Sequence, residues 1–334
     1  MTSHKTAASS VWPSGTDTPL PSHSPRAARH ACRVAVFTDD PGWHGARLAE
    51  AFRAQGWDSS AVSLQACRLD LSEGSAGVYI PGFDTLPDAA FVRGVPGGTL
   101  EEVVFYLDIL HALRRLGVLV YNPAHAIERS VDKGMTSFLL HAAGLPTPPA
   151  WVLRDAAAAR DLAGRERTAG HELVAKPLFG SQGVGLVRVS HPDDLPEPGA
   201  CNGIYYLQRF VRTGTAQAQD YRVFAIGGQA RAAMRRVAEQ GWISNVAQGA
   251  VCHPAALEPD LQDLAERAAG ALEMAYAGVD ILRDAAGRPW IIEVNGVPAW
   301  KGLQQVCAID IAQTLAEDLC RCHRDQPRLE AGRR

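Results

Sequence analysis

Two periods of apolar spacing alternate along this chain and predict most of its elements. Arg33 to Phe37 (RVAVF) is a short apolar run followed by the turn-forming Thr38-Asp39-Asp40-Pro41-Gly42. Leu48 and Phe52 then come four apart, so the stretch reads as strand, loop and helix. Gly77 to Ile80, closed by Pro81-Gly82, and Ala90 to Val92 read as further strands. Thr99 and Glu102 have the spacing of a capping box, and Leu100, Val103, Leu107 and Leu110 continue at helical spacing to Gly117. Val118 to Tyr121 is again a strand. Strands alternating with helices predict an open α/β domain over 31–121, with ligands at the C-terminal ends of its strands.

Asn122-Pro123 breaks the pattern. A helix then begins at its N-cap Asp132, carries apolar Phe138, Leu139 and Ala142, and ends at Gly144 before Pro146, Pro148 and Pro149. From there strands dominate: Leu173 to Lys176, Gly185 to Val189, Ile204 to Val211, Arg222 to Ile226 and Ala230 to Arg236. A helix through Leu261, Leu264, Ala268 and Leu272 follows. Val279 to Leu282 and Trp290 to Val294 then flank Asp284-Ala285-Ala286-Gly287, the composition of an antiparallel hairpin.

Each run of that hairpin contains an acid, and a carboxylate in an apolar strand is costly unless something charged or hydrogen-bonding meets it. If the four turn residues are the whole connection, Arg283 pairs with Arg288 and Asp280 faces Ile291. Alternation then sets Asp280, Glu293 and Asn295 on one face as near or diagonal neighbours. A divalent cation relieves the repulsion, and hard oxygen ligands suit Mg²⁺. Solvated strand ends are the ordinary alternative.

Composition narrows the field. A chain of 334 residues can bury a sizeable core and suggests two or three domains. The net charge of -3, with no polybasic run, gives no electrostatic case for nucleic acid or an acidic membrane surface. Seven cysteines without a paired metal-ligand spacing suggest reduced thiols in a cytosolic protein, and Cys320 and Cys322 read as a frayed helix end, with metal binding the alternative. No apolar segment is long enough to span a membrane. Residues 1–30 lack the apolar centre of a secretory signal and read as a disordered tail.

Four of the 33 basic residues are lysine, and Lys133, Lys176 and Lys301 fall beside the informative motifs. Lys133 opens a helix, where a cation is disfavoured unless an anion lies close, and a phosphate would supply one; a solvated surface charge is the alternative. Gly180-Ser181-Gln182-Gly183-Val184-Gly185 joins strand to strand, just after Lys176. Glycines there allow backbone N–H groups close to a polyphosphate, although a ligand-free hairpin reads equally well. It is neither a Walker loop nor a dinucleotide fingerprint. Asp39 to Gly45, with Trp43 and His44, is a candidate substrate loop or a plain turn. Arg222 and Arg236 suit carboxylate or phosphate, or surface ion pairs. Asn245 sits in the polar loop Trp242 to Asn245, within reach of a substrate.

In this order, DKxxT at 132–136, AKPLFGSQGVG at 175–185, DYR at 220–222, GVDIL at 278–282 and EVNGVPAWKGL at 293–303 resemble the ATP-grasp ligases. More narrowly, the chain resembles the RimK-like carboxylate–amine ligases. DDPGWHG, SNVAQGA and PAWKGL are most similar to members that add glutamate to tetrahydromethanopterin. The resemblance implies a two-subdomain ATP-grasp fold of α/β and α+β type after the N-terminal (pre-ATP-grasp) domain. Its central or lid subdomain would cover 122–210, its metal-binding C-terminal subdomain 211–324, and 325–334 would be a tail. Lys133, Lys176 and the loop (Gly180, Ser181, Gln182, Gly183, Gly185) would meet ATP phosphates, with Gln208, Arg209, Phe210 and Val211 as the adenine hinge. Asp280, Glu293 and Asn295 match the family's Mg²⁺ (or Mn²⁺) ligands, and Arg222, Lys176 and Asn245 would serve the chemistry. His44, Arg222, Arg236, Asn245, Trp300 and Lys301 would face substrates, with Trp300 stacking on a flat ring such as a pterin and Lys301 holding a substrate carboxylate; core packing for Trp300 and solvent for Lys301 are the equal alternatives.

The implied activity is amide formation from ATP, a carboxylate and glutamate, through an acyl phosphate. The expected partners are small molecules, with no nucleic acid or membrane, in a cytoplasmic homo-oligomer. Ribosomal-protein-modifying members usually carry a basic residue before the Ser-Asn pair, where this chain has Ile243. Addition of glutamate to a protein C-terminus, or a non-catalytic ATP-binding module, are the alternatives.

Overall fold

The structure is a computed structural model that describes residues 31–180 and 183–326. The expected tail 1–30, Ser181, Gln182 and 327–334 lie outside the described residues. Strand β1 (Arg33–Phe37) leads to helix α1 (Gly42–Ala54) and to β2 (Asp58–Val62). A small antiparallel hairpin, β3 (Arg68–Asp70) and β4 (Gly77–Tyr79), precedes β5 (Ala89–Val92), α2 (Leu100–Arg115) and β6 (Leu119–Tyr121). The order is β2-β1-β5-β6, all parallel. Of residues 77–80, expected as one strand of this domain, Gly77–Tyr79 instead belong to the separate hairpin. Edge strand β2 has mostly polar residues (DSSAV) and escaped the apolar pattern.

Both faces of the parallel sheet are covered, so β1 is apolar throughout its centre. Val34 and Val36 pack with Leu48 and Phe52 of α1, and Ala35 and Phe37 with Ile109 and Leu110 of α2. The capping box on α2 is formed as expected, with Thr99 and Glu102 each bonding the other's backbone N–H.

Two short helices, α3 (Ala124–Val131) and α4 (Lys133–Ala142), follow. The Asp132 carboxylate caps α4, accepting from Gly134 and Met135 N–H at 2.8 and 3.0 Å. The second sheet has β7 (Ala150–Leu153), β8 (Leu173–Lys176), β9 (Val187–Val189) and β10 (Tyr205–Arg209) in the antiparallel order β7-β10-β8-β9. Helix α5 (Ala156–Thr168) packs Ala159, Leu162 and Ala163 on one face of it. Neither α5 nor β7 was anticipated, because alanines and a proline-rich approach leave little periodic signal. Strand β9 starts two residues later than expected, since Gly185 has φ +73° and a Cβ there would lie 2.9 Å from Pro177.

The third sheet comprises β11 (Gln219–Ile226), β12 (Gln229–Val237), β13 (Val251–Ala255), β14 (Tyr276–Arg283) and β15 (Pro289–Asn295), all antiparallel, in the order β13-β12-β11-β14-β15. Helix α6 (Pro259–Ala271) covers one face through Leu261, Leu264 and Ala268. The chain ends with α7 (Lys301–Gln304) and α8 (Ile311–Asp325). Cys320 is fully buried on α8 and packs in the core, so the expected frayed end is an interior helix turn.

The predicted hairpin is β14–β15, with one difference of register. Arg283 pairs with Pro289 rather than Arg288, because the Asp284 N–H bonds the Arg288 carbonyl at 2.9 Å and leaves a connection of three residues, 285–287, in place of four. A bulge at Ile292 then shifts the pairing so that Asp280 faces Glu293 directly, not Ile291. This lets both Ile291 and Val294 enter the core beneath α6.

The first and third sheets share one core. Phe91, Tyr121 and Tyr276 stack at 5.2 to 5.7 Å between centroids. Asn122, fully buried, ties them: its amide donates to the Tyr276 and Gly296 carbonyls at 2.7 and 2.6 Å, and its oxygen accepts from Ala275 and Tyr276 N–H. Asn122→Ala strands these four backbone groups. It is expected to lose about 3 kcal/mol or more, read as a lower midpoint of thermal unfolding than wild type; a loss within 0.5 kcal/mol would refute the role.

Candidate functional site

A cleft of about 410 Å³ lies between the second and third sheets. From the second sheet it receives Val174, Lys176 and Gln208, the side chains on the face opposite α5. Helix α4 contributes Lys133, the loop after β8 contributes Gly180 and Gly183, and the third sheet contributes Asp280, Glu293 and Arg236. Arg209, Phe210, Val211 and Asn245 complete the predicted residues along it. Gly185 belongs to the same loop but not to the wall, and Ser181 and Gln182 lie outside the described residues.

The lysines are held by backbone and amide groups. Lys133 Nζ donates to the Gly180 carbonyl at 2.7 Å, which ties Gly180 to the first turn of α4. Lys176 Nζ donates to Gln208 Oε1 at 2.7 Å. Burial lowers the pKa of both, that of Lys176 to about 8, while the Glu293 carboxylate opposes the shift. Gln208 is left with a buried amide nitrogen that has no partner, a donor directed at nothing in the protein. Gly183 has φ +72°, and a Cβ there would meet Gln248 at 2.7 Å, so the loop needs glycine where it approaches the third sheet. Arg209 and Phe210 N–H groups bond the Pro149 and Glu172 carbonyls, whereas Val211 N–H has no partner among the described residues. The Arg209 guanidinium turns away to Glu166 at 2.9 and 3.1 Å.

A ladder of charge crosses the third sheet on the cleft side. Arg236 on β12 holds Asp220 on β11, Arg222 on β11 holds both oxygens of Asp280 on β14 at 2.7 Å, and Arg236 reaches Asp280 at 2.9 Å. Burial opposes the charge on Asp280, but the two guanidiniums outweigh it and lower its pKa to about 2. Burial raises that of Asp220 against the pull of Arg236. Arg222 and Arg236, expected to face substrate, therefore have their forks engaged by protein carboxylates, and Arg236 is 3% exposed. Asn245 likewise uses its side-chain oxygen to accept from Ala247 N–H at 2.9 Å.

Glu293 has no hydrogen bond or ion pair among the described residues, and it stands opposite Asp280. Asn295, two places on, is on the same face and makes a long contact of 3.4 Å to the Gly278 carbonyl. Two opposed carboxylates and an amide are a hard-oxygen set that fits Mg²⁺, Glu293 being available and Asp280 shared with its arginines. Among the described residues no group of three His, Cys, Asp or Glu side chains forms a metal site of another kind.

His44, Trp300 and Lys301 gather elsewhere, at the C-terminal end of the parallel sheet. Trp300 is fully buried, with His44 edge-on at 4.5 Å, Phe224 at 6.3 Å and the Arg93 guanidinium over its ring at 5.2 Å. Of the two readings of Trp300, stacking on a flat ligand is therefore replaced by core packing, because no face of the indole is open. His44 Nε2 accepts the Trp300 N–H at 3.2 Å, and burial, with Arg93 and Lys301 nearby, lowers its pKa to about 4. Sequence reasoning missed Arg93 and Asn122. Both are lone polar residues at strand ends, with no motif around them.

Residues 130–319 match the RimK-like ATP-grasp domain, and the chain belongs to that family. It is 34% identical over 235 residues, 69% of this chain and 77% of the relative, to the tetrahydromethanopterin:alpha-L-glutamate ligase of Methanococcus maripaludis. A probable alpha-L-glutamate ligase of Xanthomonas campestris is 31% identical over 280 residues, 82% of this chain and 93% of the relative. In three dimensions the chain resembles the ATP-grasp ligase PsnB, solved with a phosphomimetic precursor variant, Mg and ADP: the TM-score is 0.68 at 20% identity, covering 88% of this chain and 99% of the other. That likeness shows the fold. Membership makes the protein an ATP-dependent carboxylate–amine ligase. No helix among the described residues is long and apolar enough to cross a membrane.

The His44 environment has a consequence for stability. Its folded pKa of about 4 lies below the ordinary 6.5, so between these values the unfolded chain takes up a proton that the folded chain refuses. Stability from this residue is complete above pH 6.5 and falls as pH drops toward 4. The urea midpoint of wild type is therefore expected to decline more steeply from pH 7 to 5 than that of His44→Gln, which keeps an acceptor for Trp300; parallel declines would show that His44 is charged in the fold.

Proposed function

We propose that the protein joins L-glutamate to the carboxylate of a small acceptor, with a tetrahydromethanopterin-type pterin as the first candidate. The observation that carries this reading is the meeting, in one cleft, of two half-buried lysines with a partner-free glutamate set against an aspartate. Cations that are desolvated beside one another need an anion, and opposed carboxylates need a metal; the Mg²⁺ complex of ATP supplies both. The names of the relatives support glutamate as the added group.

On this reading Lys133 and Lys176 bind the phosphates, and the glycine loop turns its N–H groups toward them. The Gln208 amide and Val211 N–H are donors to the nucleotide at the back of the cleft. Asp280, Glu293 and Asn295 hold Mg²⁺, which when bound neutralises phosphate charge. Transfer of the γ-phosphoryl group to a carboxylate oxygen of the acceptor breaks the bond to ADP and forms an acyl phosphate. The glutamate amine then attacks the acyl carbon, the C–O bond to phosphate breaks, and the amine loses its proton as the amide forms. Arg222 stabilises charge on the transferring group by sharing its fork between Asp280 and the phosphate.

ADP release by the purified protein with ATP, Mg²⁺ and glutamate, with and without reduced pterins or peptides ending in a carboxylate, tests the reading. Acceptor-dependent ADP with a product heavier by one glutamyl unit supports it. A signal with peptides alone moves the reaction to a protein C-terminus, and none with any acceptor refutes it. Glu293→Gln is expected to remove turnover while the circular dichroism spectrum and unfolding midpoint stay near wild type; retained activity would remove Glu293 from the metal set. Lys176→Ala should raise the dissociation constant for MgATP by roughly tenfold, measured by calorimetry, and an unchanged constant would place the phosphates elsewhere.

A further inference from the structure

The C-terminal end of the parallel sheet carries two cations without an ion-pair partner among the described residues. The connections after β1 and β5, neighbours in the sheet, leave toward opposite faces, since α1 packs on one side and α2 on the other. Loops that diverge in this way open a space at the strand ends where ligands of α/β sheets bind. Arg93 is fixed at this point, because its own N–H and that of Gly94 donate to the Phe37 carbonyl at 2.9 and 3.1 Å. Its guanidinium makes one hydrogen bond, from Nη1 to the Val297 carbonyl at 3.1 Å, and its buried Nε has no partner.

Arg93 and Lys301 take part in no ion pair among the described residues, and no hydrogen bond is made by the Lys301 ammonium. Arg93 lies over the Trp300 ring at 5.2 Å and His44 accepts the backbone N–H of Trp300, the residue before Lys301, so both cations stand at the same strand end. The acid facing them is Asp40, an exposed residue that itself has no ion pair. His44 adds a neutral donor: with Nε2 accepting the Trp300 N–H, the ring proton resides on Nδ1. Two cations that make no ion pair, with one exposed acid facing them, and an N–H donor are complementary to a small dianion.

The crevice also adjoins the reaction centre. Val297 to Lys301 follow Asn295 by two to six residues, and Pro298 packs against Gly278, where a Cβ would lie 2.9 Å from it and 3.6 Å from the Arg222 side chain. We propose that this crevice holds the amine substrate, an α-amino dicarboxylate of the glutamate type, with Arg93 and Lys301 each pairing with one of its carboxylates. Held at both acids, the substrate has its amine as the group left to approach the acyl carbon. The inference rests on the ligase reading above, and it assigns the recognition of glutamate to residues outside the nucleotide cleft.

The test is steady-state ADP release by the full chain as glutamate is varied, for wild type, Lys301→Met, Arg93→Lys and Arg93→Met. Loss of a charge-assisted pair is expected to raise KM for glutamate by roughly tenfold in Lys301→Met and in Arg93→Met. Arg93→Lys should fall between, and KM for ATP should stay within twofold of wild type throughout. Calorimetry with glutamate and glutamine, in Mg²⁺ and a non-hydrolysable ATP analogue, is a second readout. The variant that loses the partner of the side-chain carboxylate should no longer discriminate between the two. An unchanged KM for glutamate in Lys301→Met and Arg93→Lys, beside a wild type that uses glutamate, overturns the crevice alone. A wild type without glutamate-dependent turnover on any acceptor overturns the ligase reading, and this inference with it.

Discussion

A carboxylate buried between two guanidiniums governs the cleft side of the five-stranded sheet. Asp280 sits one strand from Arg222 and two from Arg236, and Asp220 completes the set from β11. Burying any one of these charges alone costs several kcal/mol, while the four together satisfy one another through bidentate contacts. Their geometry demands one register for β12, β11 and β14, because a slip by one residue would carry each charge into the apolar core under α6. The same register brings Asp280 opposite Glu293 on β15. The ladder that aligns the strands thus also delivers the acids of the candidate metal site.

The bulge at Ile292 reconciles that requirement with packing. Without the extra residue, Ile291 and Val294 lie on opposite faces of β15; with it, both enter the core and Glu293 still faces the cleft. On the other side of the cleft, alternation in β8 and β10 separates Leu173, Ala175 and Leu207, packed under α5, from Lys176 and Gln208. The cleft is where the polar faces of two half-buried sheets meet. Its lysines are desolvated by burial, and Lys133 is held to the Gly180 carbonyl. A third element, the parallel sheet, shares its core with the five-stranded one through Phe91, Tyr121 and Tyr276, and Asn122 bonds the backbone beside Asn295. Movement of one sheet against the other is therefore opposed where the candidate metal ligands and the second crevice adjoin.

The local elements with strong periodicity were legible in the chain. RVAVF, the capped helix at Thr99 and the acid-bearing hairpin each carry a pattern that works at short range: alternation, a reciprocal cap, a turn composition. The motifs around Lys133, Lys176 and the glycine loop were legible for the same reason, and so was the RimK-like family. Elements whose burial depends on distant partners were not. The polar edge strand β2, alanine-rich α5 and short β7 acquire a buried side only from neighbours far along the chain.

By itself the sequence determined which residues carry charge, where the backbone needs glycine, and that Glu293 and Asn295 share a face, since side-chain alternation is a property of the strand alone; the register of β14 and the bulge at Ile292 put Asp280 on that face. Tertiary structure decided what each charge meets. It gave Arg222 and Arg236 to Asp280 and Asp220, closed Trp300 inside the core, and set Arg93 beside His44 and Lys301 without a carboxylate in contact. The physical reason is one of range. Propensity, capping and alternation act over a few residues, whereas burial and ion pairing join groups far apart in the chain, 58 positions for Arg222 and Asp280 and 256 for His44 and Trp300, brought together only when the sheets pack.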